Sequence, residues 1–411
     1  MTGLRCRCCQ APLSVSFADL GMSPLSNTYL DDSDLHSMEP FYPLHAFVCT
    51  DCWLVQLDIF KTPQQIFSDY AYFSSYSKSW LEHARLFAAK AIKRFALGHE
   101  SQVVEVASND GYLLQYFHAA GVPVLGIEPA ANVAAVAQNK CIPTRVRFMG
   151  IDLAEELVSE GKQADLLIGN NVFAHVPDLQ DFTAALAYLL KPQGTLTLEF
   201  PHLLRLIQGN QFDTIYHEHF SYFSLSSACK VLAQHGLIIF DVEELATHGG
   251  SLRIYAAHAI TANARMTSEP GRILEEERKN GLIQIGTYSA FADTVQSTKR
   301  HLLRFLIDAK DQGKQVVGYG APAKGNTLLN YCGIRDDLLS YTVDLSSQKQ
   351  GRYLPGTHIP IYSPEKISET RPDYVLVLPW NLVDEITDQM KHIRSWGAKF
   401  VVPIPQVEII S

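Results

Sequence analysis

Val103-Val104-Glu105-Val106-Ala107-Ser108-Asn109-Asp110-Gly111 is an apolar strand that runs into a turn of small residues, and its ending decides the fold. A strand that stops at small side chains before an apolar-periodic segment opens an αβ unit whose turn lets a ligand approach the backbone. Outward from it the alternation repeats. Strands are predicted over 103–107, 123–128, 144–148, 165–169 and 195–200, with helices over 112–120, 132–139, 152–160 and 178–190 between them. Such alternation predicts a parallel, doubly wound sheet. After Pro201 it lapses, and a helix over 224–235 and strands over 237–243 and 251–258 then close the sheet.

With 411 residues, 47% of them hydrophobic, the chain has material for two or three cores. The formal charge of -9 and the lack of a Lys/Arg run argue against a nucleic-acid groove or a polybasic membrane patch. No apolar stretch is long enough for a membrane span, and Met1 to Gln10 does not read as a signal peptide, so a cytoplasmic protein is expected.

Five of the eight cysteines crowd near the N-terminus. Cys6-x-x-Cys9 and Cys49-x-x-Cys52 form two knuckles whose spacing lets four thiolates converge on zinc in a reducing compartment. Cys8 could in principle take part, but the two-residue gap fits best and leaves it a bystander. Four thiolates imply a structural site that holds together a segment too small for a core of its own. A tyrosine-rich connector follows at Tyr70 to Tyr76, then a helix striped by Trp80, Leu81, Ala84, Phe87, Ala88, Ala91, Ile92 and Phe95.

Beyond the sheet, the polar stretch Thr261 to Gly271 reads as a linker, and Ile273 to Lys310 as helix with a weak interruption at Gly281 to Gly286. A second αβ unit begins at Gln315, with strands over 340–344, 373–379 and 399–402, giving a small Rossmann-like domain. The expected boundaries are 1–65, 66–260 and 261–411. The fold class is thus α/β: a central doubly wound, Rossmann-like sheet between a small N-terminal zinc-binding domain and a C-terminal Rossmann-like domain.

The Glu105 to Gly111 turn is not a clean G-x-G-x-x-G, because Ala107 and Asn109 stand where dinucleotide sites place glycines. A ligand without pyrophosphate needs fewer glycines, which favours S-adenosylmethionine over a nicotinamide, and Glu128 is placed to accept from a ribose. The bland alternative is an ordinary αβ turn with a surface Glu. Asn171 and His175 follow the fourth strand, where open αβ sheets bind ligands. In Tyr216-His217-Glu218-His219 an extended backbone would put Tyr216 and Glu218 on one side and His217 and His219 on the other. The run supplies proton-handling groups, with a polar loop or a His/Glu metal cluster as alternatives. His248-Gly249-Gly250-Ser251 is a further turn, structural or lining the cleft. Gly318-Tyr319-Gly320-Ala321-Pro322-Ala323 matches G-x-G-x-x-A, with Asp344 ending the next strand. It could hold a dinucleotide, or with Lys324 a substrate diphosphate, or be architectural.

Together these motifs resemble the sugar C-methyltransferases of deoxysugar biosynthesis, over nearly the whole chain. The resemblance rests on the paired cysteines, Tyr70 to Ser79, Glu105 to Gly111, Asn171-Val-Phe-Ala-His175, Tyr216 to His219, His248 to Ser251 and Tyr319 to Asn326. It implies a structural zinc, S-adenosylmethionine as cofactor and a nucleotide-linked keto-deoxysugar substrate. On the matching motifs it implies His219 as general base, with Glu218, Tyr216, His175 and Tyr70 around the sugar. The cofactor would contact Glu105, Ala107, Ser108, Asn109, Gly111, Leu113, Glu128, Pro129, Asn170 and Asn171, and the substrate Tyr72, Asn171, His217, Gly320, Lys324 and Asn326. An O- or N-methyltransferase, a noncatalytic nucleotide-sugar-binding protein and an NAD-linked oxidoreductase remain the alternatives.

Overall fold

A computed structural model describes residues 4–67 and 73–411; the expected site residues Tyr70 and Tyr72 lie outside the described residues. Three sheets organise the chain. The central one has seven strands in the order Leu237–Leu245, Ser251–His258, Leu190–Pro201, Ala164–Asn170, Val103–Val106, Val124–Ile127 and Thr144–Arg145. Ser251–His258 runs antiparallel to both its neighbours, and the other pairings are parallel. Val103–Val106 is buried at every residue, as a strand covered on both faces must be. Strand order reverses between it and Ala164–Asn170, which opens a crevice at their carboxyl ends.

The N-terminal sheet is antiparallel: Val15–Ser23, Tyr42–Val48, Val55–Leu57 and then Ser221–Tyr222. Its fourth strand is therefore lent by the segment after Pro201. The C-terminal sheet orders Ile361–Tyr362, Thr342–Val343, Val316–Tyr319, Tyr374–Val377, Lys399–Val402 and Glu408–Ile410, all parallel but for the last. Its first and last strands are too short and flanked too closely by turns to have been expected.

One apolar core runs through all three parts, joining Phe17 and Leu44 of the N-terminal sheet to Phe212, to Tyr288 and Leu302, and to Leu328 and Leu376. The long helix Ile285–Asp311 supplies the middle of it: Phe17 stacks on Phe291 at 4.6 Å and meets Tyr288 edge-on at 5.9 Å.

Two expectations are corrected. Thr261 to Gly271 is mostly helical, in Ala259–Arg265 and the start of Glu269–Lys279. Its polar side chains bond back to the sheet: Thr261 Oγ1 donates to the Pro192 carbonyl (2.9 Å) and Arg265 to Thr195 Oγ1 (3.0 Å). The Tyr216 to His219 run is a tight turn, not an extended strand, closed by His219 N–H donating to the Tyr216 carbonyl at 2.9 Å. Ile215 and Phe220, both fully buried, anchor its two ends, so the four residues between them reverse direction.

Candidate active site

The cofactor crevice is built from backbone conformations that side-chain-bearing residues seldom adopt. Ala107, Asn109 and Asn171 all have φ near +50°, as does His248. Each such residue carries a cost, and they gather at one end of one sheet, which makes this end the candidate site. Gly126 is required on packing grounds, since a Cβ there would come within 2.4 Å of Ser108 Oγ.

Glu128 ties the two turns together, accepting from Asn109 N–H (3.0 Å) and Ala130 N–H (2.9 Å), one on each oxygen. Each oxygen keeps a second lone pair beyond these bonds. Glu105 is wholly buried, and neither carboxylate oxygen has a hydrogen-bond partner of good geometry. Burial drives its carboxyl well above the usual range, opposed by Tyr112 beside it. A buried acid without a firm partner fits a cationic ligand group such as the ammonium of S-adenosylmethionine. The orphaned Ser108 Oγ, Asn170 Oδ1 and Asn171 Oδ1 add polar capacity around it. Leu113 is fully buried in the apolar cluster beneath the turn and Pro129 is half-buried beside Glu128, so Leu113 supports the site by packing.

The proton-handling turn faces the same crevice. His219 Nδ1 lies 3.0 Å from the Thr214 carbonyl and can only donate to it, so in the neutral ring Nε2 carries the lone pair, 2.9 Å from the Tyr216 hydroxyl. Burial, then the neighbouring His175, hold the His219 pKa well below its ordinary value. His175 meets His219 edge-on at 4.7 Å and donates from Nδ1 to the Glu218 carbonyl at 2.8 Å. Burial lowers His175 to about 4. Glu218 is raised to about 7 by burial, against the Asn27 amide that donates to it at 2.6 Å.

The remaining expected residues separate. His217 packs on the far side of the turn against Tyr42 and Phe60, with Nε2 donating to the Pro43 carbonyl at 3.2 Å. Asn326 is buried and donates to Ser26 O at 2.6 Å, binding the C-terminal domain to the N-terminal module. Pro379 fills the space over Gly320, where a Cβ would meet it at 2.5 Å. Asp344 accepts from Ala321 N–H at 2.8 Å and faces Lys349 at 3.4 Å. The Gly318 to Ala323 turn thus spends its close approach and its acid on itself, as an architectural turn does. Lys324 stays in the cleft: its ammonium donates to Asn381 Oδ1 (2.7 Å), lies 4.5 Å from the Trp380 ring centre, and lowers the pKa values of both His219 and His248.

Two residues absent from the sequence reading complete this wall. Trp380 Nε1 donates to the buried Asp213 at 2.7 Å, and burial raises Asp213 to about 6 against the Lys324 charge. Trp380 lies just past the Tyr374–Val377 strand, at the carboxyl end of a parallel sheet, and that position was the available signal. Asn171 Nδ2 lies 3.4 Å from His248 Nε2 across the crevice.

At the other end of the molecule the sulfurs of Cys6, Cys9, Cys49 and Cys52 lie within 4.8 Å of one another, the only such metal-competent cluster among the described residues. Tetrahedral zinc thiolate sites place sulfurs about 3.8 Å apart, so the four fit zinc. Cys8 lies outside this group, its sulfur 3.7 Å from Gln234 Nε2 and beside the Cys52 thiol.

Comparison with known proteins agrees with this layout. Residues 6–67 match a family described as "Putative zinc binding domain", residues 80–241 a "Methyltransferase domain", and residues 246–405 a "C-methyltransferase C-terminal domain". The "C-methyltransferase NovU" of Streptomyces niveus is 37% identical over 406 residues, 99% of this chain and 96% of its own. A mitochondrial ubiquinone biosynthesis O-methyltransferase of Rattus norvegicus is 24% identical over 194 residues, 41% of this chain and 56% of its own. Among solved structures, the magnesium protoporphyrin IX methyltransferase of Synechocystis PCC 6803 with bound SAH is 21% identical, covering 44% of this chain and 83% of its own with a TM-score of 0.35. The chain belongs to the C-methyltransferase family, S-adenosylmethionine-dependent enzymes in which a zinc-binding N-terminal module precedes the methyltransferase domain and a C-terminal domain follows it.

Proposed function

We propose that this enzyme methylates the carbon beside the keto group of a nucleoside-diphosphate-linked keto-deoxysugar, dTDP-linked by preference, in the cytoplasm, with His219 as general base. The observation that carries the reading is the Tyr216–His219 pair. A carbon bearing only hydrogen is a poor nucleophile, so methylating it requires removal of the proton next to a carbonyl. His219 is held neutral by burial and the neighbouring His175, against the Thr214 carbonyl that fixes its Nδ1–H, and so offers Nε2 for that proton. The Tyr216 hydroxyl donates to that same lone pair and so orients the ring; it turns aside as the substrate proton passes to Nε2. The Lys324 ammonium is the donor on this wall for negative charge on the keto oxygen, while in neutral His175, whose Nδ1–H goes to the Glu218 carbonyl, the other ring nitrogen is an acceptor. S-adenosylmethionine supplies the electrophilic methyl when bound. Glu105 and Glu128 fix the donor's place in the crevice, which orients the two reactants.

The test is mass spectrometry of purified protein with S-adenosylmethionine and a panel of dTDP-4-ketosugars in deuterated water, beside His219→Asn. A methyl gained on carbon, and lost in the variant together with deuterium exchange at that carbon, supports both reaction and base. Exchange that persists without His219 overturns the base assignment.

A further inference from the structure

The turn that carries His219 meets His175 and Thr327 on its inner side, and the N-terminal module grips it from the other. His217 donates to Pro43 O (3.2 Å), Glu218 accepts from Asn27 (2.6 Å), and the Phe220 carbonyl accepts from Leu57 N–H (3.0 Å), all through partners in the N-terminal module. The contact nearest the metal site is Arg7, which sits inside the first knuckle between Cys6 and Cys9. Its guanidinium forks: one nitrogen donates to Phe220 O at 2.7 Å, the other to Leu57 O, and the plane rests 5.7 Å from the Phe220 ring centre. Phe220 is the residue after His219, so this fork holds the backbone at the base itself.

Gln56 completes the link. Its Oε1 accepts from Arg7 N–H at 2.9 Å, its Nε2 donates to the Cys6 sulfur at 3.2 Å, and its own backbone pairs with Ser221 in the strand that leaves the turn. Gln56 is buried and Arg7 half-buried, with every link between thiolate and turn a direct hydrogen bond. A metal-bound thiolate is a fixed acceptor, and groups that bond to such ligands share their order.

The geometry points to Arg7 as a positioning residue for the proton-abstraction step, through which the zinc knuckle sets the placement of the Tyr216–His219 pair. The metal thus has a role in catalysis without touching substrate: it fixes Cys6 and Cys9, these fix Arg7, and Arg7 fixes Phe220. This rests on the reading of His219 as the base, while the link from knuckle to turn does not.

The experiment separates the two. Backbone hydrogen exchange of the zinc-loaded enzyme is compared with the same protein after chelation, following peptides that span 215–223 and the Val103–Val106 strand. Protection across 215–223 is expected to fall on zinc removal while Val103–Val106 keeps its own; equal protection of 215–223 in both states overturns the link. Arg7→Met is then assayed with zinc bound at full stoichiometry. Solvent exchange at the substrate carbon and kcat are expected to fall about 100-fold, the loss that a displacement of about 1 Å produces, with KM nearly unchanged and partial recovery in Arg7→Lys. Zinc-replete Arg7→Met with unaltered exchange overturns the positioning role. If Arg7→Met loses zinc or fails to fold, the hydrogen-exchange comparison on the unsubstituted enzyme decides alone. Wild-type levels of exchange and transfer in His219→Asn would instead count against the base, leaving the knuckle-to-turn link standing.

Discussion

Tyr216 and His219 face each other at 2.9 Å because the chain reverses between them, and the same reversal sends His217 to the opposite side. The pair is a neutral acceptor nitrogen with a hydroxyl aimed at it. Replacing His219 by Asn keeps a polar side chain of similar length but no basic nitrogen. A fall in kcat of about 10²- to 10⁴-fold is expected, with Tyr216→Phe losing less because the base survives. Methyl transfer and carbon-bound hydrogen exchange, measured side by side, check both.

Acid should strip away the contribution of the buried histidines, a loss that Glu218 and Asp213, raised to about 7 and about 6, partly offset in the same window. His175 and His248 are both lowered to about 4 by burial, and His219 is lowered as well. Unfolded histidine takes up its proton near pH 6.5, so the unfolded chain binds more protons between that value and about 4. The stability these rings contribute is whole above pH 6.5 and is lost as pH falls towards 4. Chemical denaturation at stepped pH should show the decline, and His248→Asn should reduce its slope.

Zinc content should discriminate between neighbouring thiols. Cys9→Ser removes a ligand and is expected to lose the metal, whereas Cys8→Ser changes a buried thiol beside Gln234 and Cys52 but outside the four-sulfur cluster, and should keep one zinc per chain at a cost of about 1 kcal/mol. Metal analysis of the two purified variants checks this.

Glu199 is fully buried and accepts from Arg253, His83 and Thr247, binding the helix Lys78–Arg94 to two strands of the central sheet. Burial alone would raise its carboxyl; the His83 and Arg253 contacts outweigh that and hold it below the usual range. Glu199→Gln leaves buried Arg253 with only its longer contact to Glu243 (3.7 Å) and is expected to cost about 3 kcal/mol, read as a lowered denaturation midpoint.

Much of this was legible in the residues themselves. The central strands and helices follow hydrophobic periodicity, and the cysteine knuckles announce themselves by spacing, so the sheet and the four-sulfur cluster lie where they were expected. What escaped has no local signature. Ile215 to Phe220 contains no Gly, Pro, Asn or Asp, so nothing in it signals a turn; the reversal comes from burying Ile215 and Phe220 at either end. Asp213 and Trp380 carry no motif and meet only because two domains close on each other. The Gly318 to Ala323 turn left three readings open in the sequence, and the contacts that bear on them, Thr342 over Gly318 and Pro379 over Gly320, come from residues distant in the chain.

Ser221–Tyr222 lies against Val55–Leu57 although Arg7 and the Phe220 carbonyl it grips are 213 positions apart. During synthesis the first sixty residues therefore emerge with their last strand's edge groups unpaired until most of the methyltransferase domain has been translated. Excised at its apparent boundary, this N-terminal segment would carry a raw hydrogen-bonding edge, and a chimera that exchanges it must exchange the 215–223 turn with it.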